Sequence, residues 1–453
     1  MDVTSTRAVK VGASGRGVVA HVGLHALGAF ADRLHLSHLL SATIPQRPLL
    51  VHDRGKVLVQ TALMLAGGGE SCADIEHLRA QESLFGLVPS DSTTYRTFFE
   101  ISPETRREIG GAVAEVREQV WARSAATKSG PVVLDIDASL VPIHSENKEC
   151  AAPNFKGGYG FHLMFCFADA TGEALSGLLR PGSDGSNTAA DHITVLDEAI
   201  AQLPKEVRAG HSAGDDASLV RRQVICRTDS AGTTAAFLSA LRARNVGFFT
   251  SAITNTQIQA AILDAIGIEG AFVPAVTQDG EERPRTAVCE LTSLVELSSF
   301  PSGTRLIVRR EPLHPGAQRS LFPSLEHRYW GFYTDQEGDP VSLDVTMRAH
   351  AHVENHICRL KDSGLLAFPF TSFEANKNWM AVVMLAADLV RWFQLLCLDG
   401  YFASARPKAL RWAILHAPGR IVRSGRQVIV RLLANWPDAG AILRAYRHIE
   451  ALT

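Results

Sequence analysis

Val132-Val133-Leu134-Asp135-Ile136-Asp137-Ala138-Ser139 is the stretch whose reading decides the fold. A turn-like Ser129-Gly130-Pro131 precedes it, and apolar residues at 132, 133, 134 and 136 predict a buried β-strand. Two carboxylates interrupt that strand near its end. An unpaired charge on a core strand is costly, so each acid needs a metal, a protonated neighbour or a basic side chain as partner. For one Asp alone, capping of the next turn is the simpler reading. A second strand-end Asp and a helical Glu farther along shift the balance.

The chain has 453 residues, which exceeds one ordinary core and predicts two or three folding units. With 46% hydrophobic and 20% charged residues it has the composition of a globular protein. Seven scattered cysteines form no CxxC pair, which argues for reduced thiols, a cytoplasmic setting and no zinc module. The N-terminus lacks the apolar core of a secretory signal. The most apolar run, Trp379 to Leu398, contains Asp388, Arg391 and Gln394, so a buried helix is expected there and no membrane partner. Net charge is only −2, yet nine Arg/Lys against two acids follow Tyr401. Such a tail is either a phosphate-contacting surface or a solvated helix face.

Along the chain, residues 1–128 read as a helical N-terminal domain. Apolar residues recur at helical spacing from Val18 to Leu27 and from Val57 to Leu65, and Gly67-Gly68-Gly69 ends the second run. Pro89-Ser90-Asp91-Ser92-Thr93 then announces a further helix carrying Arg96. Short helices of this kind suit a helix-turn-helix DNA reader or a plain bundle. Residues 129–255 change to strands at 132–137, 160–168 and 174–180. A helix from about 189 to 203, a strand at 224–228, a helix at 233–244 and a strand at 246–250 follow. That order predicts a mixed α/β domain around one sheet. Residues 256–343 read as a β-rich insertion, 344–400 as the helical end of the core, and 401–453 as a basic helical C-terminal region.

Asp137 and Asp229 both end predicted strands, and two such residues from one sheet can converge above it. Glu354 falls on a predicted helix with His350, Cys358 and Lys361 on roughly the same face. Three carboxylates suit a pair of magnesium ions, with manganese as a substitute, because hard cations take oxygen ligands and recruit phosphate oxygens. Two such ions can activate a nucleophilic water or 3′-hydroxyl and stabilise the leaving oxygen of a phosphoryl transfer.

The order of Asp135-Ile136-Asp137-Ala138-Ser139, Asn154-Phe155-Lys156-Gly157-Gly158-Tyr159-Gly160, Leu179-Arg180-Pro181-Gly182 and Arg227-Thr228-Asp229-Ser230-Ala231-Gly232 resembles that of insertion-sequence transposases. The likeness is to the 1380 group within the DDE superfamily, and it covers most of the chain. Glu354 and Lys361 match that superfamily's Glu-(six residues)-Lys helix. The resemblance implies a ribonuclease-H-like core with a β insertion between the second Asp and the Glu. It implies metal-dependent cutting at transposon ends and joining to target DNA. Asp137, Asp229 and Glu354 match the three family acids, with Asp135 beside the first, and Lys361 would contact a phosphate near the cut. Where relatives carry Tyr and Arg seven and four residues before the Glu, this chain has Met347 and His350, leaving Arg348 as the available cation.

Double-stranded DNA is therefore the expected partner, both terminal inverted repeats and target, with a homodimer assembled on it and a nucleoid-associated location in a bacterial cytoplasm. Lys361, Arg348, His350, Lys156, Arg180 and Arg96 are the candidate DNA contacts, and Trp330 is a candidate for stacking on an unpaired base. A nuclease that hydrolyses without joining, or a domesticated DNA-binding protein, would share much of this pattern.

Overall fold

A computed structural model describes residues 15–45, 50–185, 188–313, 327–425 and 427–452. Its centre is a ten-stranded sheet. The opening stretch forms strand β1 (Val132–Pro142), followed by β2 (Tyr159–Ala168) and β3 (Glu173–Pro181) as antiparallel neighbours. The β2–β3 turn contains Gly172 at φ +70°, a left-handed conformation that suits glycine. On the other side of β1 lie β4 (Val224–Thr228) and then β5 (Val246–Ala252), both parallel to it. The spatial order is thus β3-β2-β1-β4-β5. β1 and β4 read as nearly continuous apolar runs because a central strand is covered on both faces.

Helices cover both faces. Leu134, Ile136, Met164 and Cys166 share one cluster with helices Ala189–Gln202, Ala235–Arg242 and Thr256–Ile266. Val141, Leu163, Phe165 and Phe167 point the other way, into a cluster with helices His352–Leu360 and Phe373–Cys397. The N-terminal helices join that same cluster through Leu27, Phe30, Leu58 and Leu65, as does the C-terminal helix Ala439–Ala451 through Ile442 and Ala445.

The strands within 256–343 extend this sheet. They are β6 (Val273–Val276), β7 (Glu282–Glu290), β8 (Arg305–Pro312) and β9 (His327–Thr334). β9 pairs antiparallel with β5, so the order continues β5-β9-β8-β7-β6.

Two sequence expectations need correction. The basic C-terminal region is not wholly helical, since β10 (Gly419–Ser424) and β11 (Gln427–Leu432) form a hairpin to which Val18–Val19 adds a third strand. β-Branched residues alternate along it, and Val19, Ile421, Val430 and Leu432 supply an apolar inner face. Helical structure at the N-terminus accordingly begins at Val22 rather than Val18. Arg426, part of the basic tail, lies outside the described residues.

Helix Phe373–Cys397 is long and apolar enough to cross a membrane, yet most of it is buried in the protein. Its Asp388 accepts a 2.6 Å bond from Arg117, whose Nε donates to Glu173 at 2.9 Å. The indole N–H groups of Trp121 and Trp392 also donate to Glu173. Burial foremost, reinforced by Glu173 and opposed by Arg117, pushes the Asp388 carboxyl up to about 7. Removing one member of such a network strands the others. Glu173→Ala is expected to cost roughly 3–5 kcal/mol, read as a lowered denaturation midpoint; an unchanged midpoint would show that the network contributes nothing.

Candidate active site

The parallel pairing of β1 and β4 runs through Ile136↔Thr228 and stops there. Asp137 and Asp229 are the next residue on each strand. They are therefore neighbours across strands spaced about 4.8 Å apart. Open α/β sheets bind ligands at this carboxyl end of parallel strands. Beyond Thr228 the chain turns away into a short 3-10 turn, Ser230–Gly232, whose N-cap is Asp229. One Asp229 oxygen accepts from the Ala231 N–H at 2.9 Å. β1 instead continues alongside β2 to Pro142, leaving Asp137 half-buried at the step between the two strand ends.

Glu354 arrives from the helix His352–Leu360, which buries Val353, Ile357 and Leu360 against the sheet. That stripe turns Glu354 outward, and it makes no hydrogen bond or ion pair among the described residues. It nonetheless lies close enough to raise the Asp137 pKa. Burial, with Asp229 and Glu354 adding like charge, lifts Asp137 from 3.8 to about 6, against the Ala138 N–H bond and His350. So the three acids share one electrostatic site. Among the described residues, no three His, Cys, Asp or Glu side chains form a ready-made metal cluster. The donor chemistry fits a divalent cation all the same: three carboxylates lie in electrostatic reach of one another at an open edge, and none is ion-paired among the described residues.

Asp135 sits on the same face as Asp137, two residues deeper, and its oxygens are already engaged. Arg227 binds it through Nε at 2.8 Å and Nη2 at 2.6 Å, and His350 donates from Nδ1 at 2.7 Å. Asp135 is fully buried. Of the two acids on the opening strand, Asp137 is the one with oxygens to offer.

The expected DNA contacts separate into two groups. Lys156 is exposed on the loop before β2, 5.7 Å from the ring of the equally exposed Phe155. Arg96 is exposed on helix Asp91–Glu100, and Trp330 is 41% exposed with the Arg328 guanidinium stacked over it. Lys361, half-buried at the end of the Glu354 helix, has no partner among the described residues. The other three are tied down. Arg180 is almost fully buried, donating to Asp191 at 2.9 Å and to the Gly185 and His162 carbonyls. Arg348 is held by Asp344 at 2.8 Å and by the Val276 carbonyl. His350 is committed to Asp135. Expecting these three to face DNA is corrected by their internal partners. Met347, where relatives carry Tyr, is buried in an apolar cluster.

Arg227 and Asp169 were missed. Arg227 interrupts an apolar strand, and a buried cation needs an acid, which was the available signal. Its second acid is Asp169 at 2.9 Å, which also accepts from His352 at 3.0 Å.

The family model for the transposase DDE domain, group 1, matches residues 1–453. The chain belongs to the DDE transposase family. It is a DNA transposase, and enzymes of this family use divalent metal ions. No curated protein matches the chain. Among solved structures it is similar to piggyBac transposase in a synaptic complex with hairpin DNA. Identity there is 10%, the TM-score is 0.41, and the match covers 89% of this chain and 83% of that one.

The raised Asp137 pKa carries a stability consequence for the transposase. A carboxyl whose folded pKa lies above its ordinary value adds stability at low pH, and loses it as pH climbs through about 6. In EDTA at pH 7.5, Asp137→Asn is therefore expected to be more stable than wild type by about 1–3 kcal/mol. The gap should close as pH falls from 6 toward 4, measured by denaturant titration. Equal stability at pH 7.5 would show that neither burial nor like charge penalises the Asp137 carboxylate.

Proposed function

We propose that this transposase binds the terminal inverted repeats of an insertion sequence, cleaves at its ends and joins them to target DNA. Asp137, Asp229 and Glu354 are the catalytic acids in this reading. The observation that carries it is the register of β1 and β4, which sets Asp137 beside Asp229 at an open strand end with Glu354 in electrostatic reach. These carboxylates would hold magnesium, or manganese in its place. Ions held there would supply Lewis acidity for the attacking and leaving oxygens. The strand order β3-β2-β1-β4-β5, three antiparallel strands followed by two parallel to the first, supports a ribonuclease-H-like assignment. The motif order supports the 1380 group.

The boundaries 1–128, 129–255, 256–343, 344–400 and 401–453 are proposed as an end-binding domain, the two parts of the catalytic core around its insertion, and a basic C-terminal region. Asp362 holds that last region to the core, pairing with Arg406 at 2.8 Å and Lys408 at 3.4 Å. Arg444 pairs with Asp399. Three further cations, Arg420, Arg423 and Arg431, lie on the hairpin. Arg420 and Arg431 face each other across β10 and β11, both exposed, on the same face as exposed Val18. No acid lies between Pro418 and Pro437. Opposed arginines on a sheet face match the repeating charge of a phosphate backbone. Lys156, Lys361, Arg96 and Trp330 are proposed as contacts nearer the acids. A dimer on DNA and a bacterial, nucleoid-associated location complete the proposal.

Purified protein with a labelled transposon end tests the chemistry. Asp137→Asn, Asp229→Asn and Glu354→Gln are each expected to reduce donor cleavage and strand transfer of a pre-cut 3′-hydroxyl end to the no-protein level. Wild-type cleavage by any of them would overturn the assignment. The hairpin is tested separately by Arg420→Ala combined with Arg431→Ala. Loss of two phosphate contacts should lower the slope of log affinity against log salt by about 2. An unchanged slope would leave these strands a packing role only.

A further inference from the structure

Each proposed catalytic acid has a neighbour a few residues earlier in the chain that lies one step deeper. Asp135 lies two residues before Asp137 on β1, and Arg227 two residues before Asp229 on β4. His350 lies four residues, about one helical turn, before Glu354. These three deeper residues are bonded to one another. Asp135 and Arg227 are register partners. The guanidinium grips Asp135 through two nitrogens at 2.8 and 2.6 Å, while His350 Nδ1 donates to the same carboxylate at 2.7 Å. The third guanidinium nitrogen, Nη1, donates to the Thr346 carbonyl at 2.8 Å, at the end of helix Pro340–Arg348 that leads into the Glu354 segment. Arg227 also reaches Asp169 at 2.9 Å, and Asp169 takes His352 from the Glu354 helix.

We propose that Asp135, Arg227 and His350 form a positioning layer that sets the spacing and aim of Asp137, Asp229 and Glu354. The inference rests on the catalytic reading of those acids.

The need for such a layer follows from the acids themselves. Like charges at a strand end drive the strands and helix apart, and nothing at the acids' own level opposes that. Backbone pairing holds β1 to β4 only through Ile136 and Thr228, and no backbone pairing holds the Glu354 helix to either strand. A bidentate arginine clamp is a stiff non-covalent link between two strands, because its planar fork fixes orientation as well as distance. His350 extends that link to the helix. None of the three is proposed to touch DNA or a metal. They act through the acids above them.

The position of the bonded nitrogen supplies the test. An asparagine amide can occupy the place of the imidazole Nδ1 and keep the donor to Asp135, whereas leucine removes it. Mn2+ binding to the DNA-free protein, followed by electron paramagnetic resonance, is compared for wild type, His350→Asn and His350→Leu. Half-saturating metal and maximal rate of donor cleavage are measured in parallel. His350→Leu is expected to bind Mn2+ at least tenfold more weakly and to need correspondingly more metal for cleavage. His350→Asn should stay within about threefold of wild type. Wild-type Mn2+ affinity in the leucine variant, or an asparagine variant no better than leucine, overturns the proposal. Should His350→Leu fail to fold, Arg227→Lys decides, since it keeps the charge and loses the clamp: tenfold weaker Mn2+ binding supports the layer, and unchanged binding removes it. Asp137→Asn is the control that separates this from the underlying reading. If Asp137→Asn still cleaves, the acids are misassigned. If it is inactive while His350→Leu behaves as wild type, only the layer is wrong.

Discussion

The in-register parallel pairing of β1 with β4 is the constraint on which the rest of this transposase depends. It brings two carboxylates from residues 92 positions apart in sequence to neighbouring places at one end of the sheet. Like charges placed on adjacent strands repel, and Asp229 and Glu354 both act on Asp137 in this sense. The sheet opposes that repulsion with five parallel register pairs and with apolar clusters on both faces. Burial first, with that repulsion added to it, raises the pKa of Asp137 while the strands stay paired. Divalent cations relieve such repulsion, which is why a site of this kind is costly to the folded chain without metal and favourable with it.

Legibility in the sequence followed the range of the interactions involved. Val132–Ile136 and Val224–Cys226 were readable as strands because both faces of a central strand are apolar, and the Asp at each end then stood out. The N-terminal helices were readable from their periodicity and from the cap-forming run at Ser90, whose side chain accepts from the Thr93 N–H. What tied up Arg180 and His350 was not legible. Arg180 is met by the turn and helix that follow β3, and His350 by Asp135 from 215 residues earlier. Arg348 was different. Its partner Asp344 is one helical turn away, a spacing that favours an ion pair, so its unavailability to DNA was open to inference. The C-terminal hairpin was hidden by composition. Its arginines read as a basic helical region, whether phosphate-contacting or solvated, while the signal that mattered was β-branched residues on either side of Ser424-Gly425, with Gly425 at φ +59°.

Two buried ionic networks now invite comparison, because both use one arginine to join carboxylates from separate elements. Arg117 joins Glu173 and Asp388, and Arg227 joins Asp135 and Asp169. Burial alone does not separate a structural network from one serving chemistry. Satisfaction of the acceptors does. Glu173 receives Arg117 and two indoles, Asp388 receives Arg117 and the Ala174 N–H, and Asp135 receives Arg227 and His350. Each of those carboxylates is buried and has both oxygens bonded within the protein.

Asp137, Asp229 and Glu354 have the opposite character. The first two accept one backbone N–H each, the third accepts nothing among the described residues, and all three reach the surface of the sheet's open end. A folded chain tolerates carboxylates with unused lone pairs where water or a cation completes them, and it pairs them where neither can reach. The same strand shows both outcomes two residues apart. Asp135 is completed from within the protein and so can only hold the structure. Asp137 is left incomplete, and that incompleteness makes it fit to receive a metal.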